Sequence, residues 1–331
     1  MHLPVKLIKN IGGLSFKSFL SAFGPLKEIS IILMYHRVVK EPFRNCLDPA
    51  MFVTPDAFEM HIKEISQFFD IVPLEAITES NLEKKRLCAI TFDDGWVDNY
   101  ENAFPISKKY NIPATIFIPV NMIGSKKKFW FQGIWDIWSQ AGKNGLISDC
   151  IRYFNTVIPA WKPEYIDVEQ IDKLISELKH LPAQELNDLA EQAYRSLGLT
   201  PEANGYILNW EQVREMSQNG ITFGSHGLNH YILRILNREM KKKEIFDSFG
   251  ILKEKGISVS PFFSFPNGDW DNESLALVKE AGYKGALTTR LGYNTANTDP
   301  FLLKRIAVHD DATNMPSLLW FRILQAVSRV S

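Results

Sequence analysis

Short apolar runs punctuate the chain at Ile29–Met34, Leu87–Phe92, Ala114–Pro119, Ile221–Ser225, Pro261–Phe265 and Gly285–Thr288. Runs of this length without polar alternation read as strands buried on both faces. Between them, Pro55–Phe69, Val97–Tyr110, Trp210–Asn219, Asn237–Lys255 and Asn272–Ala281 carry apolar residues at helical spacing, several opening at Pro, Asp or Asn. Alternation of strand and helix predicts an α/β fold, a parallel sheet covered by helices. With six or seven such units and strands too apolar to sit at an edge, closure into a (β/α) barrel is more economical than an open sheet. The rhythm breaks between about Ser125 and Gly205, where Phe131–Ala141, Ile166–Lys179 and Ala183–Leu197 predict consecutive helices, an insertion in the barrel.

The barrel is expected to span residues 29–310, with the insertion at about 125–205 inside it. An amphipathic segment (1–28) precedes it and a helix (311–331) follows. Pro4–Leu26 mixes Lys6, Lys9 and Lys17 with Leu, Ile and Phe, and Leu318–Val330 sets Leu, Trp and Ile around Arg322 and Arg329. Such segments can lie on a membrane surface, but packing against the body is the usual fate of an apolar stripe. No run approaches the ~18 apolar residues of a membrane span, and the start lacks the pattern of a secretory signal. The expected location is cytoplasmic, with peripheral contact at the inner face of the membrane through the terminal segments as the variant to test.

Composition narrows the partners. The 37 basic and 38 acidic side chains leave a net charge of −1, and no Lys/Arg stripe is interleaved with aromatics, so nucleic acid is not an expected partner. Three scattered cysteines, Cys46, Cys88 and Cys150, supply neither a disulfide framework nor a four-cysteine zinc site, and a reducing compartment is the simpler reading.

Candidate chemistry gathers at two strand ends. Leu87-Cys-Ala-Ile-Thr-Phe-Asp-Asp-Gly95 is an apolar strand closed by two carboxylates, and the C-terminal ends of parallel strands are where catalytic residues collect. Neighbouring side chains on extended backbone point apart, so Asp93 and Asp94 can hold different roles. An Asp-Gly turn is the bland alternative. Ile221-Thr-Phe-Gly-Ser-His-Gly-Leu-Asn-His230 ends a second strand with His226 and His230 four apart. Two imidazoles and one carboxylate, here Asp94, form a recurring ligand set for a divalent metal, zinc above others.

Thr91-Phe-Asp-Asp-Gly95 together with Ser225-His226-x-x-x-His230 resembles the polysaccharide deacetylase family, the NodB-homology domain of carbohydrate esterase family 4. Met34-Tyr-His-Arg-Val38 and Phe263-Ser-Phe-Pro-Asn-Gly268 are similar to segments of its exopolysaccharide branch, so the resemblance spans Ile29–Val308 apart from most of the insertion. It implies a distorted (β/α)7 barrel and metal-dependent hydrolysis of the N-acetyl (or related N-acyl) group of an amino sugar in a polysaccharide or lipid-linked glycan. Carried over by position, Asp94, His226 and His230 hold a divalent ion, most readily Zn2+, Asp93 is the general base, and Pro266, Asn267 and Gly268 meet the substrate.

The chemistry agrees with those residue types: a divalent ion polarises an amide and acidifies water, a base takes a proton, and an oxyanion and a departing amine need donors. The loop after Ala114–Pro119 is expected to give a backbone N–H to the oxyanion. The general acid is His36 or His309, His36 being preferred because it ends a strand and resembles a histidine so used in the exopolysaccharide branch. Three positions depart from the family pattern. Ser264 stands where an arginine commonly orients the base, Asn267 where a tyrosine stands, and Gly227 where Ser or Thr follows the first ligand histidine. The missing arginine and the open choice of acid keep a non-catalytic glycan-binding protein on the same barrel as the alternative. Of the remaining candidates, Asp98 either bonds a ligand histidine or caps a helix, Arg305 forms an ion pair or binds an anion, and His61 is expected at a solvated or core-edge position. The cluster Phe129, Trp130, Phe131, Trp135 and Trp138 is expected mainly to pack, with stacking on sugar rings as its other use.

Overall fold

The computed structural model describes residues 12–15, 17–18, 29–40, 49–79, 86–125, 128–201 and 207–328. Among the described residues, seven parallel strands form the barrel and a short eighth extends their sheet: β1 (Ser30–Tyr35), β2 (Leu87–Phe92), β3 (Ala114–Ile118), β4 (Ile221–Ser225), β5 (Val259–Ser264), β6 (Gly285–Leu291) and β7 (Leu303–Ala307) close the barrel. They pair in chain order, and β1 pairs with both β2 and β7, so the sheet closes into a barrel. One seam is distorted. β3 pairs with β2 only at Thr91 and Phe92, while Leu87 and Cys88 at the start of β2 pair with a short strand at Asp70–Ile71. The turn that follows sends Leu74 and Ile77 into the barrel interior as a plug.

Side chains alternate between the interior and the surrounding helices, which is why these strands are apolar on both faces. On β2, Cys88, Ile90 and Phe92 pack outward, while Leu87 and Ala89 join Ile32, Phe117, Phe262, Leu287 and Leu303 in the interior cluster. Phe117 takes up so much of that interior that a side chain at Gly224 would begin 2.4 Å from its ring. Following the inward row of β2 past Thr91 leads to Asp93 at the C-terminal mouth. The same alternation puts Ser264 of β5 above Phe262, and Arg305 of β7 above Leu303. The layer over the apolar interior is thus polar, and Ser264 and Arg305 in it are fully buried.

Six of the seven strands lie where the apolar runs predict them. β7 does not announce itself, because Lys304 and Arg305 interrupt Leu303–Ala307. The barrel helices begin within a residue of the expected positions, and capping explains the agreement. Thr54 caps α1 (Pro55–Ile65), Asn209 forms a capping box with Gln212 at α7 (Trp210–Ser217), and Asn237 and Asp271 cap α8 (Arg238–Glu254) and α9 (Asn272–Glu280).

Among its described residues the insertion holds four helices rather than three: α3 (Trp130–Asn144), α4 (Ile147–Val157), α5 (Val168–Leu178) and α6 (Ala183–Ser196). They surround a hydrophobic cluster of their own that includes Trp135, Trp138, Cys150, Phe154, Trp161 and Leu174. The terminal helix α11 (Pro316–Ser328) lies against α1 and β7 and buries Leu319, Trp320, Ile323 and Ala326 in the main core. Trp320 Nε1 also donates to Glu64 at 2.7 Å. Its apolar stripe therefore faces the barrel. Of the segment 1–28, only 12–15 and 17–18 are described; these are helical, and Lys17 pairs with Glu64 at 2.6 Å. The rest of that segment lies outside the described residues, as does Cys46. No described helix is long and apolar enough to cross a membrane.

Candidate active site

The ends of β1, β2, β4, β5 and β6 converge on one cleft lined by Asp93, Asp94, His226 and His230. After Phe92 the backbone turns through Asp94 (φ 76°) and Gly95 (φ 71°), and His230 also lies in the left-handed region (φ 60°). Left-handed backbone at non-glycine residues costs about 1–3 kcal/mol and is characteristic of functional sites. Here it swings the Asp94 carboxylate away from Asp93 and towards the histidines. Asp94 Oδ1 lies 3.1 Å from His230 Nε2 and 3.6 Å from His226 Nε2. Asp94 Oδ2 accepts from Trp96 Nε1 at 3.0 Å, and His226 Nδ1 lies 2.7 Å from the Ser264 carbonyl oxygen. An imidazole that donates Nδ1–H to a carbonyl keeps the lone pair of Nε2 for a ligand.

These residues fit a divalent ion. Their three donor atoms lie within 4.8 Å of one another, and Asp94 Oδ1 is buried with no hydrogen-bond donor of its own. A buried carboxylate oxygen facing two imidazole nitrogens is costly unless something positive satisfies it. Burial lowers the His226 pKa to about 4, so the ring is neutral near pH 7, as a ligand must be. Burial raises the pKa of Asp94, but His230 and its neighbours outweigh that and hold it well below the usual carboxylate range.

Asp93 is held by a residue that the sequence left without a site role. Arg305 Nη1 and Nη2 donate to its two oxygens at 2.8 and 2.7 Å, while Arg305 Nε donates to the Thr288 carbonyl at 2.9 Å. Arg305 is fully buried, so the expected ion pair is a desolvated, bidentate one. Ser264 Oγ stands 3.3 Å from Asp93 and accepts from Arg305 Nη2 at 3.1 Å. The small side chain on β5 leaves room for a guanidinium arriving from β7. Ser264 therefore does not leave the base unoriented; the arginine comes from another strand. Burial pushes the Asp93 carboxyl up, but Arg305 and His226 prevail and lower it, so Asp93 is ionised at neutral pH.

Gly227 has an equally local cause. Its φ is +79°, and a Cβ there would lie 2.9 Å from Glu244 Oε2. That oxygen, from α8, accepts from the N–H groups of Leu228 and Asn229 at 2.8 and 2.9 Å, between the two ligand histidines. Glu244 is a positioning residue that sequence reasoning missed, and its only signal was an acidic residue on the side of α8 that also buries Ile245, Phe249 and Leu252. The first three N–H groups after β3 are not free for the expected oxyanion role. The N–H groups of Val120, Asn121 and Met122 already bond the carbonyls of Gly227, Leu228 and Pro119, which ties this loop to the histidine loop.

His36 lines the cleft, whereas His309 does not: it precedes the helix at Asp310–Thr313 and bonds Asp311. Asn99 Nδ2 donates to the His36 carbonyl at 2.8 Å. Asp98 neither touches a ligand histidine nor caps a helix; it accepts from Arg37 Nε and Val38 N, both at 2.8 Å, and so fixes the backbone beside His36. His61 is fully buried, with its ring between Tyr35 Oη and the Thr313 carbonyl. Of Pro266, Asn267 and Gly268, only Asn267 borders the cleft. Pro266 is buried, and Gly268 (φ +71°) lies so near Thr289 that any side chain there would clash. These two shape the turn that presents Asn267. The aromatic cluster divides: Phe129 and Trp138 pack in the two cores, while Trp130, Phe131 and Trp135 also line the cleft, Phe131 beside the His230 ring at 5.8 Å.

Fold and site together define a class: a (β/α)7-barrel hydrolase whose working groups sit at the C-terminal ends of its strands. A model of the polysaccharide deacetylase family matches residues 80–149 and 178–286, more than half of the chain, and the chain belongs to that family of amide-hydrolysing enzymes. It is 23% identical over 282 residues to YxkH of Bacillus subtilis, covering 84% of this chain and 70% of that protein. It is 27% identical over 227 residues to the poly-beta-1,6-N-acetyl-D-glucosamine N-deacetylase of Staphylococcus epidermidis, covering 60% of this chain and 72% of the relative. The structure of IcaB from Ammonifex degensii superposes with a TM-score of 0.58 at 16% identity, over 89% of this chain and 97% of that one, a likeness of fold.

Proposed function

We propose that this chain is a metal-dependent N-deacetylase acting on an N-acetylated amino sugar within a glycan. The observation that carries this reading is the pairing, in one cleft, of an arginine-clamped carboxylate with an adjacent Asp–His–His cluster whose Asp94 Oδ1 lacks a donor. Asp94, His226 and His230 would hold the ion, and zinc suits two imidazoles and a carboxylate. Bound there, the ion would supply Lewis acidity towards the acyl oxygen and a lowered pKa for water. Asp93, kept ionised and aimed by Arg305, takes the proton of the attacking water. His36 lines the same cleft and delivers a proton to the departing amine as the C–N bond breaks. The ion-paired Arg37 and the bonds from Asn99 hold the His36 backbone in place for that transfer. A glycan-binding role without catalysis drew support from a missing arginine and an unassigned acid, and Arg305 removes the first of these.

The test is metal content by elemental analysis, together with acetate release from N-acetylated glucosamine oligosaccharides. Asp94→Ala and His226→Ala should lose metal and activity together, while Asp93→Asn should keep the metal and lose at least 100-fold in rate, in line with the ~10²–10⁴-fold of general base catalysis. Failure to bind a supplied divalent ion, or a wild-type rate for Asp93→Asn, would refute it.

A further inference from the structure

The cleft is not an open groove. The insertion reaches its rim at two places. Trp130, Phe131 and Trp135 of α3 stand beside His230, and Ile175 and Lys179, at the end of α5, reach the loop after β5. There Lys179 Nζ donates to Asn267 Oδ1 at 2.7 Å, joining the insertion to the barrel across the rim. Asn267 is itself braced, donating from Nδ2 to Asp269 at 2.7 Å, on a turn kept tight by Gly268. What remains is an apolar-walled space of ≈ 140 Å3, well below the ~300–1,000 Å3 of an ordinary ligand pocket. Part of this roof lies outside the family pattern, because the match stops at 149 and resumes at 178, leaving out Ile175 and most of α5.

We infer that the insertion turns the site into a one-ended pocket that accepts the terminal residue of a short glycan and excludes the interior of a long polymer. This rests on the deacetylase reading above. An interior residue carries a sugar on both sides and needs two exits, and the Lys179–Asn267 bridge closes one of them. A terminal residue needs one exit, and the indole and phenyl faces of Trp130 and Phe131 offer a stacking surface for its ring.

The probes are β-1,4- and β-1,6-linked N-acetylglucosamine oligomers of one to six units and the two corresponding polymers. Oligomer binding to the metal-free protein is followed by tryptophan fluorescence, and the sites of deacetylation by the metal-loaded enzyme are mapped by mass spectrometry. The expected result is affinity that stops rising after about two units, deacetylation confined to one chain end, and a polymer rate at least 10-fold below that of the trimer per chargeable residue. In Lys179→Ala and Asn267→Ala, internal deacetylation should appear and the polymer should gain at least fivefold relative to the trimer. Internal deacetylation by the wild type, or affinity that climbs steadily to the hexamer, overturns the pocket and leaves the deacetylase reading standing. No acetate from any probe would overturn that reading, and this inference with it.

Discussion

Replacing Arg305 by Met keeps the length of the side chain and deletes the cation bonded to both oxygens of Asp93. The guanidinium makes four hydrogen bonds, two to Asp93, one to Ser264 and one to the Thr288 carbonyl, and none of its surface meets water. Breaking a buried pair from one side leaves an uncompensated charge and costs about 3–5 kcal/mol, a large share of the ~5–15 kcal/mol that holds a typical domain together. Replacing both partners, as in Asp93→Asn/Arg305→Met, leaves no charge behind and should recover at least ~2 kcal/mol of that loss. Arg305→Lys keeps a charge but not the fork, so the carboxylate can rotate, and misplacement of a reacting group by about 1 Å costs on the order of 100-fold. Urea denaturation gives the stabilities, and initial rates of acetate release give kcat and KM. The expectation is a loss mainly in kcat for Arg305→Lys, severe instability for Arg305→Met, and a stable but inactive double variant. An Arg305→Met protein as stable as the wild type, with kcat within threefold of it, would show that Arg305 does not hold the base.

Three further expectations follow from the same contacts. Glu244→Ala removes the acceptor for Leu228 and Asn229 and should weaken metal binding about 10–100-fold, measured by competition with a chromogenic chelator, with the far-UV spectrum unchanged; unchanged affinity would deny it a positioning role. His61 is buried with its pKa lowered from 6.5 to about 4, so the unfolded chain takes up a proton that the fold refuses. Its contribution to stability is complete above pH 6.5 and is lost as pH falls towards 4, to the extent of about 3 kcal/mol. The stability of His61→Gln should therefore vary less across that window than that of the wild type, as read by urea denaturation at each pH. Finally, His36→Gln should lower kcat at least 100-fold with the metal retained, while His309→Gln stays within threefold; the reverse order would return the acid to the β7 end.

The arrangement of this protein was legible in its sequence wherever chemistry and local geometry coincide. Apolar runs and capping residues located six strands and the main helices, because a strand buried on both faces and a helix start each leave a local signature. The Asp–His–His cluster was legible for the same reason: Asp94, His226 and His230 each end or follow such a run. β7 was hidden because the residue that interrupts its apolar pattern, Arg305, is the one the site needs there. Whether an inward arginine is an error in a strand or half of a buried pair depends on what stands across the barrel, and Asp93 lies more than two hundred residues away in the chain. Glu244 and Lys179 were hidden likewise: an acid on one helix and a lysine at the end of another are ordinary surface residues until packing sets them against Leu228 and Asn267. The sequence by itself determined the barrel, the Asp–His–His cluster and the carboxylate beside it. Only the tertiary structure decided which cation aims that carboxylate, which histidine faces it and how much of the cleft the insertion leaves open, since each of these is a contact between elements that no local pattern encodes.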